Sequence, residues 1–116
     1  MTTTARIYHN PRCSKSRQTL ALLEEAGIEP RIIRYLETPL TEGELTDVLA
    51  KLNLPAHAIV RVKEAPYQEC GLSKESSTAQ ILTAIINHPI LLERPIVVHN
   101  NQAVIGRPPE KVQEIL

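Results

Sequence analysis

Little in this chain offers a home to a bound cofactor. Its four glycines, Gly27, Gly43, Gly71 and Gly106, are scattered, so no glycine-rich loop is present to wrap phosphates with backbone amides. Four histidines and two cysteines show no compact metal-ligand spacing, which argues against a zinc or iron centre. No apolar run approaches the roughly 18 residues of a membrane span, so no membrane role is expected. Net charge is missing too: 13 Lys and Arg balance 13 Asp and Glu, which gives no electrostatic recruitment to nucleic acid or an anionic lipid surface. The N-terminus lacks a basic region followed by a long apolar segment and a small-residue cleavage site, so no secretory signal is read and the expected compartment is cytoplasmic. In a reducing cytosol Cys13 and Cys70 are better read as free thiols than as a disulfide. No repeat, low-complexity tract or linker interrupts the 116 residues, and 1–116 is expected to form a single domain with a real core.

What is present reads as alternating strands and helices. Residues 5–8 form a short apolar run that Asn10-Pro11 terminates. Over 14–26, Leu20, Leu22, Leu23 and Ala26 recur at helical spacing, and Gly27 suits a left-handed cap. Residues 31–35 read as a second strand, which makes a right-handed parallel crossover with the helix on one sheet face. Thr41-x-x-Glu44 predicts a capping box ahead of a helix to about Leu52. Pro55 can open a short helix through Val60, and Ser76, Ser77 and Thr78 offer caps for another carrying Ile81, Leu82, Ile85 and Ile86. Runs at 96–98 and 102–105 flank His99-Asn100-Asn101, a hairpin signal because asparagine tolerates left-handed turns. Pro108-Pro109-Glu110 predicts a last helix carrying Val112 and Ile115. The fold class expected is α/β: a thioredoxin-like βαβ-ββα mixed sheet, with a helical insertion at approximately 37–89 between its halves.

Cys13 stands where such a fold places a helix N-terminus, in Tyr8-His9-Asn10-Pro11-Arg12-Cys13-Ser14-Lys15-Ser16-Arg17. The thiolate is the nucleophilic form, and an ordinary cysteine is only about 3 % thiolate at pH 7. Free amides at a helix start and the macrodipole stabilise an anion there. The only charged side chains through Arg17 are Arg6, Arg12, Lys15 and Arg17, and the first acid is Glu24, so cations are expected to favour the thiolate. Ser16 is placed to hydrogen-bond it. Serine there also removes any CxxC pair, so an external thiol must resolve an intermediate on Cys13. Cys70 is read as a packing residue.

These residues, with Tyr35-Leu36-Glu37, Arg61 ahead of Pro66-Tyr67, Gly71-Leu72, His88-Pro89-Ile90, Arg94-Pro95-Ile96-Val97-Val98 and Gly106-Arg107-Pro108, resemble the glutaredoxin-dependent arsenate reductase family in its short form. The resemblance covers nearly the whole chain, with several separated motifs in family order. It implies a thioredoxin-like fold and reduction of arsenate to arsenite, with glutathione as co-substrate, glutaredoxin as partner and no bound cofactor. Residue by residue, it makes Cys13 the nucleophile and Arg61, Arg94 and Arg107 the oxyanion-binding arginines. Planar guanidinium forks are suited to neutralising and orienting an oxyanion that would otherwise repel a thiolate. His9, Asn10 and Ser16 match positions that shape the loop and tune the thiolate, and Pro95 is the candidate cis-proline.

Two other readings belong to the same superfamily: a Spx-like redox regulator that binds RNA polymerase, and a thiol reductase for another oxyanion or a glutathionylated protein. The regulators commonly carry a CxxC switch, whereas this chain has Cys13-x-x-Ser16. The sequence leaves the oligomeric state open.

Overall fold

The computed structural model describes residues 5–116; residues 1–4, part of the N-terminus read above for a leader, lie outside the described residues. The contacts divide the chain into two compact units, one of residues 5–38 with Arg94–Leu116 and one of Pro39–Glu93.

The first unit is a four-stranded mixed sheet with helical segments packed on it. Strand β1 (Arg6–Tyr8) leads through helix α1 (Ser14–Glu25) to β2 (Arg31–Ile33), and β3 (Ile96–His99) and β4 (Gln102–Ile105) form a hairpin. The sheet order is β2-β1-β3-β4, with β1 parallel to β2 and antiparallel to β3. This is the thioredoxin-like α/β arrangement. Asn100 and Asn101 make the hairpin turn at φ of 52° and 61°, the left-handed conformation that a two-residue hairpin of this hand requires. Ile7, Leu23, Val97, Val112 and Ile115 form a buried core between the sheet and the segments that cover it.

The register determines where chemistry can gather. Tyr8 pairs with both Ile33 and Ile96, and Ile96 pairs in turn with Ile105. The chain therefore leaves β1, β2 and β4, and enters β3, at one end of the sheet. Cys13, Arg34, Arg94 and Arg107 all belong to segments adjoining that end.

Several boundaries differ from the sequence reading. The second strand stops at Ile33 rather than residue 35, because the Arg34 carbonyl accepts from the amides of Glu37 and Thr38 and turns the chain. The final segment is a 3₁₀ helix, Pro109–Ile115, not an α-helix. Its buried residues Pro109, Val112 and Ile115 are three apart, the spacing that a helix of three residues per turn aligns on one face. The buried face of α1 is Ser16, Thr19 and Leu23, whereas Ala26 is exposed. Two polar residues thus replace the apolar stripe at the N-terminal end of the helix.

The second unit is helical. In α2 (Glu42–Leu52) Thr41 accepts from the Glu44 amide and Glu44 returns the bond, completing the capping box. A short 3₁₀ helix, Ala56–Ile59, stands where the sequence suggested a helix to Val60. Helix α3 (Ala65–Glu69) went unread; Pro66 near its start and Gly71 just past its end are its signals. Ser77 and Gln80 form a second capping box on α4 (Thr78–Asn87), whose Ile81, Leu82 and Ile85 are buried, as are Leu45 and Val48 of α2. Among the described residues no helix is long and apolar enough to cross a membrane.

Candidate active site

The loop after β1 is wired to itself before it reaches the thiol. The Asn10 side-chain carbonyl accepts from the Arg12 amide at 3.0 Å, and the Asn10 backbone carbonyl accepts from the Cys13 amide at 3.0 Å. Ser16, fully buried, sends its hydroxyl back to the loop: Oγ accepts from the Asn10 amide at 3.1 Å and lies 2.6 Å from His9 Nδ1. His9 is buried, and its own amide donates to the Ile33 carbonyl at 2.8 Å. Asn10, Ser16 and His9 thus tie the loop both to the first turn of α1 and to the sheet.

Cys13 is the N-cap residue of α1, extended at φ −94° and ψ 122°, and its carbonyl accepts the Arg17 amide at 3.0 Å. Its sulfur is therefore held at the helix N-terminus, half-buried. Burial alone pushes the thiol pKa up, but the Ser16 amide, the Arg94 charge, the Lys15 amide and a bond from Arg107 outweigh it, so the net shift is downward. The sulfur makes no capping hydrogen bond of full geometry, so the two amides act as looser polar contacts. The Ser16 contribution comes from its backbone N–H; its hydroxyl is committed to His9 and Asn10. Ser16 thus acts on the thiolate through its backbone rather than its side chain.

The cations that matter are also not the sequence neighbours. Arg107 Nη1 lies 3.9 Å from Cys13 Sγ and 3.2 Å from the Arg94 carbonyl, and Arg94 adds its charge to the same sulfur. Arg12, Lys15 and Arg17 are exposed; only the Lys15 backbone contributes to the thiol shift. Arg17 Nη1 instead donates to the Pro11 carbonyl at 3.0 Å.

Two residues assigned no role from the sequence, Thr19 and Gly106, pack together just before Arg107. Thr19, fully buried, donates to the Lys15 carbonyl at 2.8 Å and stands 3.5 Å from the Gly106 carbonyl. The Gly106 amide donates to the Pro95 carbonyl at 2.9 Å. A Cβ on Gly106 would lie 2.5 Å from Thr19 Oγ1 and 2.9 Å from Pro95 Cγ. The peptide bonds Arg94–Pro95 and Arg107–Pro108 are both cis.

Arg61, the third arginine expected to hold an oxyanion, belongs to the other unit, and its described contacts are to residues of that unit. Arg61 pairs through Nη2 with Glu64 Oε1 at 2.7 Å and reaches the Ile90 carbonyl through Nη1 at 3.4 Å. Cys70 caps the C-terminus of α3 and is exposed, which corrects its reading as a packing residue: a helix-end position gives it no core to enter. Among the described residues no three His, Cys, Asp or Glu side chains come together as a metal site.

A thiolate at a helix start, with two guanidiniums converging from other segments, can attack an electrophilic centre while its anionic oxygens are neutralised. Comparison with known proteins follows the same line. The model of the ArsC family matches residues 8–115. The chain is 50% identical over 118 residues to the uncharacterized protein YfgD of Escherichia coli strain K12, covering 100% of this chain and 99% of that one. It is 48% identical over 113 residues to an arsenate reductase of Neisseria meningitidis serogroup A, covering 96% of this chain and 97% of the relative. The solved structure of an arsenate reductase from Vibrio cholerae superposes with a TM-score of 0.95 at 49% identity, covering 100% of both chains.

Proposed function

The chain belongs to the ArsC family, and on that premise we propose that it is a cytoplasmic oxidoreductase that reduces arsenate to arsenite through an arsenic adduct on Cys13. We take the two compact units to work together as one catalytic domain, a thioredoxin-like frame with a helical insertion. The observation that carries the reading is the placement of Arg107 Nη1 3.9 Å from Cys13 Sγ, with the Arg94 charge acting on the same sulfur.

In this mechanism the Cys13 thiolate attacks arsenic(V), a sulfur–arsenic bond forms, and one arsenate hydroxyl leaves as water after taking up a proton. Arg94 and Arg107 neutralise the remaining oxygens, and Arg61 is assigned to the same task. The thiol of glutathione then displaces a second hydroxyl from arsenic, again as water. A thiolate of glutaredoxin attacks the glutathione sulfur; a disulfide forms, the arsenic–sulfur bond to glutathione breaks, and its electron pair stays on arsenic, now trivalent. Water releases arsenite and returns Cys13. The reductant is a dissociating co-substrate, and the residues present call for no bound cofactor. His9 and Asn10 act by fixing the loop, and Ser16 by supplying both its amide to the thiolate and its hydroxyl to His9.

The CxxC switch of a Spx-like regulator lacks its second thiol here, since residue 16 is serine and its hydroxyl is engaged with His9. The test is arsenate-dependent NADPH oxidation coupled through glutathione reductase, glutathione and a glutaredoxin. Turnover by the wild type that disappears in Cys13→Ser and falls steeply in Arg94→Ala supports the assignment; no wild-type turnover with any of several glutaredoxins overturns it.

A further inference from the structure

Resolution of a Cys13 intermediate needs an incoming thiol, and a second group of cations borders the loop without serving the sulfur. Arg17 lies one turn into α1, its amide bonded to the Cys13 carbonyl at 3.0 Å and its guanidinium folded back onto Pro11. Arg34 follows Ile33, whose carbonyl receives the His9 amide at 2.8 Å; it is exposed and approaches Glu37 at 4.0 Å. Both guanidiniums act on the same buried imidazole, His9, and help to hold it neutral. Arg17 and Arg34 therefore approach the loop from two sides, one from α1 and one from the end of β2. Arg12, next to the thiol, is exposed as well. A geometry with Arg94 and Arg107 at the sulfur and Arg17 and Arg34 around the loop separates two anion-binding tasks.

We propose that Arg17 and Arg34, with Arg12, form a subsite for the carboxylates of an anionic thiol, glutathione, and bring its sulfur to Cys13. The inference rests on the thiol chemistry proposed above and names where its co-substrate is held. Exposed guanidiniums bordering the loop raise the local concentration of an anion and orient its carboxylates, and they disfavour a cationic thiol. In this reading the inner pair, Arg94 and Arg107, serves the oxyanion.

Thiol–disulfide exchange reads this subsite without arsenate. The Cys13 thiolate attacks one sulfur of a disulfide, the new mixed disulfide forms, the old sulfur–sulfur bond breaks, and the departing thiolate is protonated by water. Oxidised glutathione is a dianion at neutral pH, hydroxyethyl disulfide is neutral and cystamine is a dication. In a Cys70→Ser background, which removes the other exposed thiol, mixed-disulfide formation with each is followed by intact mass. The rate ratio of oxidised glutathione to hydroxyethyl disulfide should fall about two- to fivefold in Arg17→Gln and again in Arg34→Gln. The cystamine ratio should rise, and both changes should shrink near 1 M salt, where the screening length is about 3 Å. Taking ratios cancels any change in the thiolate fraction. Arg34→Gln carries the test alone if Arg17→Gln disturbs the loop through its bond to Pro11.

Unchanged ratios in the double variant overturn the subsite. Charge selectivity lost in the variants, in a protein without arsenate turnover, supports the subsite and removes the arsenate reading instead. Arsenate turnover without charge selectivity does the reverse.

Discussion

Thr19 and Gly106 meet so closely that a side chain at 106 has nowhere to go: its Cβ would stand 2.5 Å from the threonine hydroxyl oxygen. Gly106 immediately precedes Arg107, so this contact between α1 and the end of β4 bears on the placement of the guanidinium beside Cys13. Gly106→Ala is expected to destabilise the protein by about 1–3 kcal/mol through overpacking and to move Arg107 off the sulfur. Adding Thr19→Ala removes the hydroxyl oxygen and the methyl carbon, the latter 3.1 Å from that Cβ, and should restore part of both losses. Melting temperature and thiolate absorbance at 240 nm measure them separately. A double variant no better than Gly106→Ala would show that the Thr19 contact is not what sets the position.

Arg107 stands beside the Cys13 sulfur and, in the function proposed above, also neutralises the substrate, so its removal should be felt twice. In Arg107→Gln the Cys13 pKa should rise, because burial then opposes the thiolate with one fewer partner. Turnover of arsenate should fall by about 10²-fold, the scale of losing one oxyanion donor. The alkylation rate of Cys13 in the Cys70→Ser background, followed against pH, gives the pKa directly: it rises through the lowered pKa as the thiol deprotonates and then levels. An alkylation profile identical in wild type and Arg107→Gln would remove Arg107 from the thiolate's environment.

The frame was legible and the wiring was not, for definite physical reasons. Short apolar runs, Gly27, the two asparagines and the Thr41 box mark elements through local rules, and each of those elements is present. The tail is the helix expected there, but of 3₁₀ type, because Pro109, Val112 and Ile115 suit a three-residue period that resembles an α-helix face over so short a span. The cations were misread because helical neighbours fan out by about 100° per residue, which carries long side chains of Lys15 and Arg17 into solvent. Arg94 and Arg107 reach the sulfur only through strand pairing at Ile96, a long-range relation that no local pattern encodes. Thr19 gave no signal at all, since a threonine on a helix reads as a solvent-facing residue until its packing partner is known.

Ser16 is the joint between the loop and the helix. Ser16→Ala deletes the 2.6 Å contact with His9 and leaves the Asn10 amide without its acceptor, while the backbone N–H of residue 16 stays available to the sulfur. The expected cost is about 1–3 kcal/mol, the penalty for an unsatisfied group in a sheltered position. Urea unfolding should show it at unchanged m-value, with the Cys13 alkylation pKa moving less than in Arg107→Gln. A pKa rise in Ser16→Ala as large as that in Arg107→Gln would mean that the hydroxyl acts on the thiolate after all.

His9 makes the stability of this site depend on acid. Its pKa is lowered by burial first and by the charges of Arg34 and Arg17 second. As pH falls, the unfolded chain therefore takes up a proton on this residue while the folded protein still keeps the imidazole neutral. The unfolded state binds more protons in that window, so stability rises with pH across it. The contribution is complete above the ordinary imidazole value of 6.5 and is lost as pH drops from there toward the lowered folded value. Replacing His9 by glutamine keeps a hydrogen-bonding side chain but removes the titration. Comparing unfolding free energies at about pH 7.5 and about pH 5.5, on either side of the free imidazole value, the wild type should lose more stability than His9→Gln. Equal losses in the two proteins would place the acid sensitivity in other groups and leave His9 a hydrogen-bonding partner of Ser16 whose titration does not govern stability.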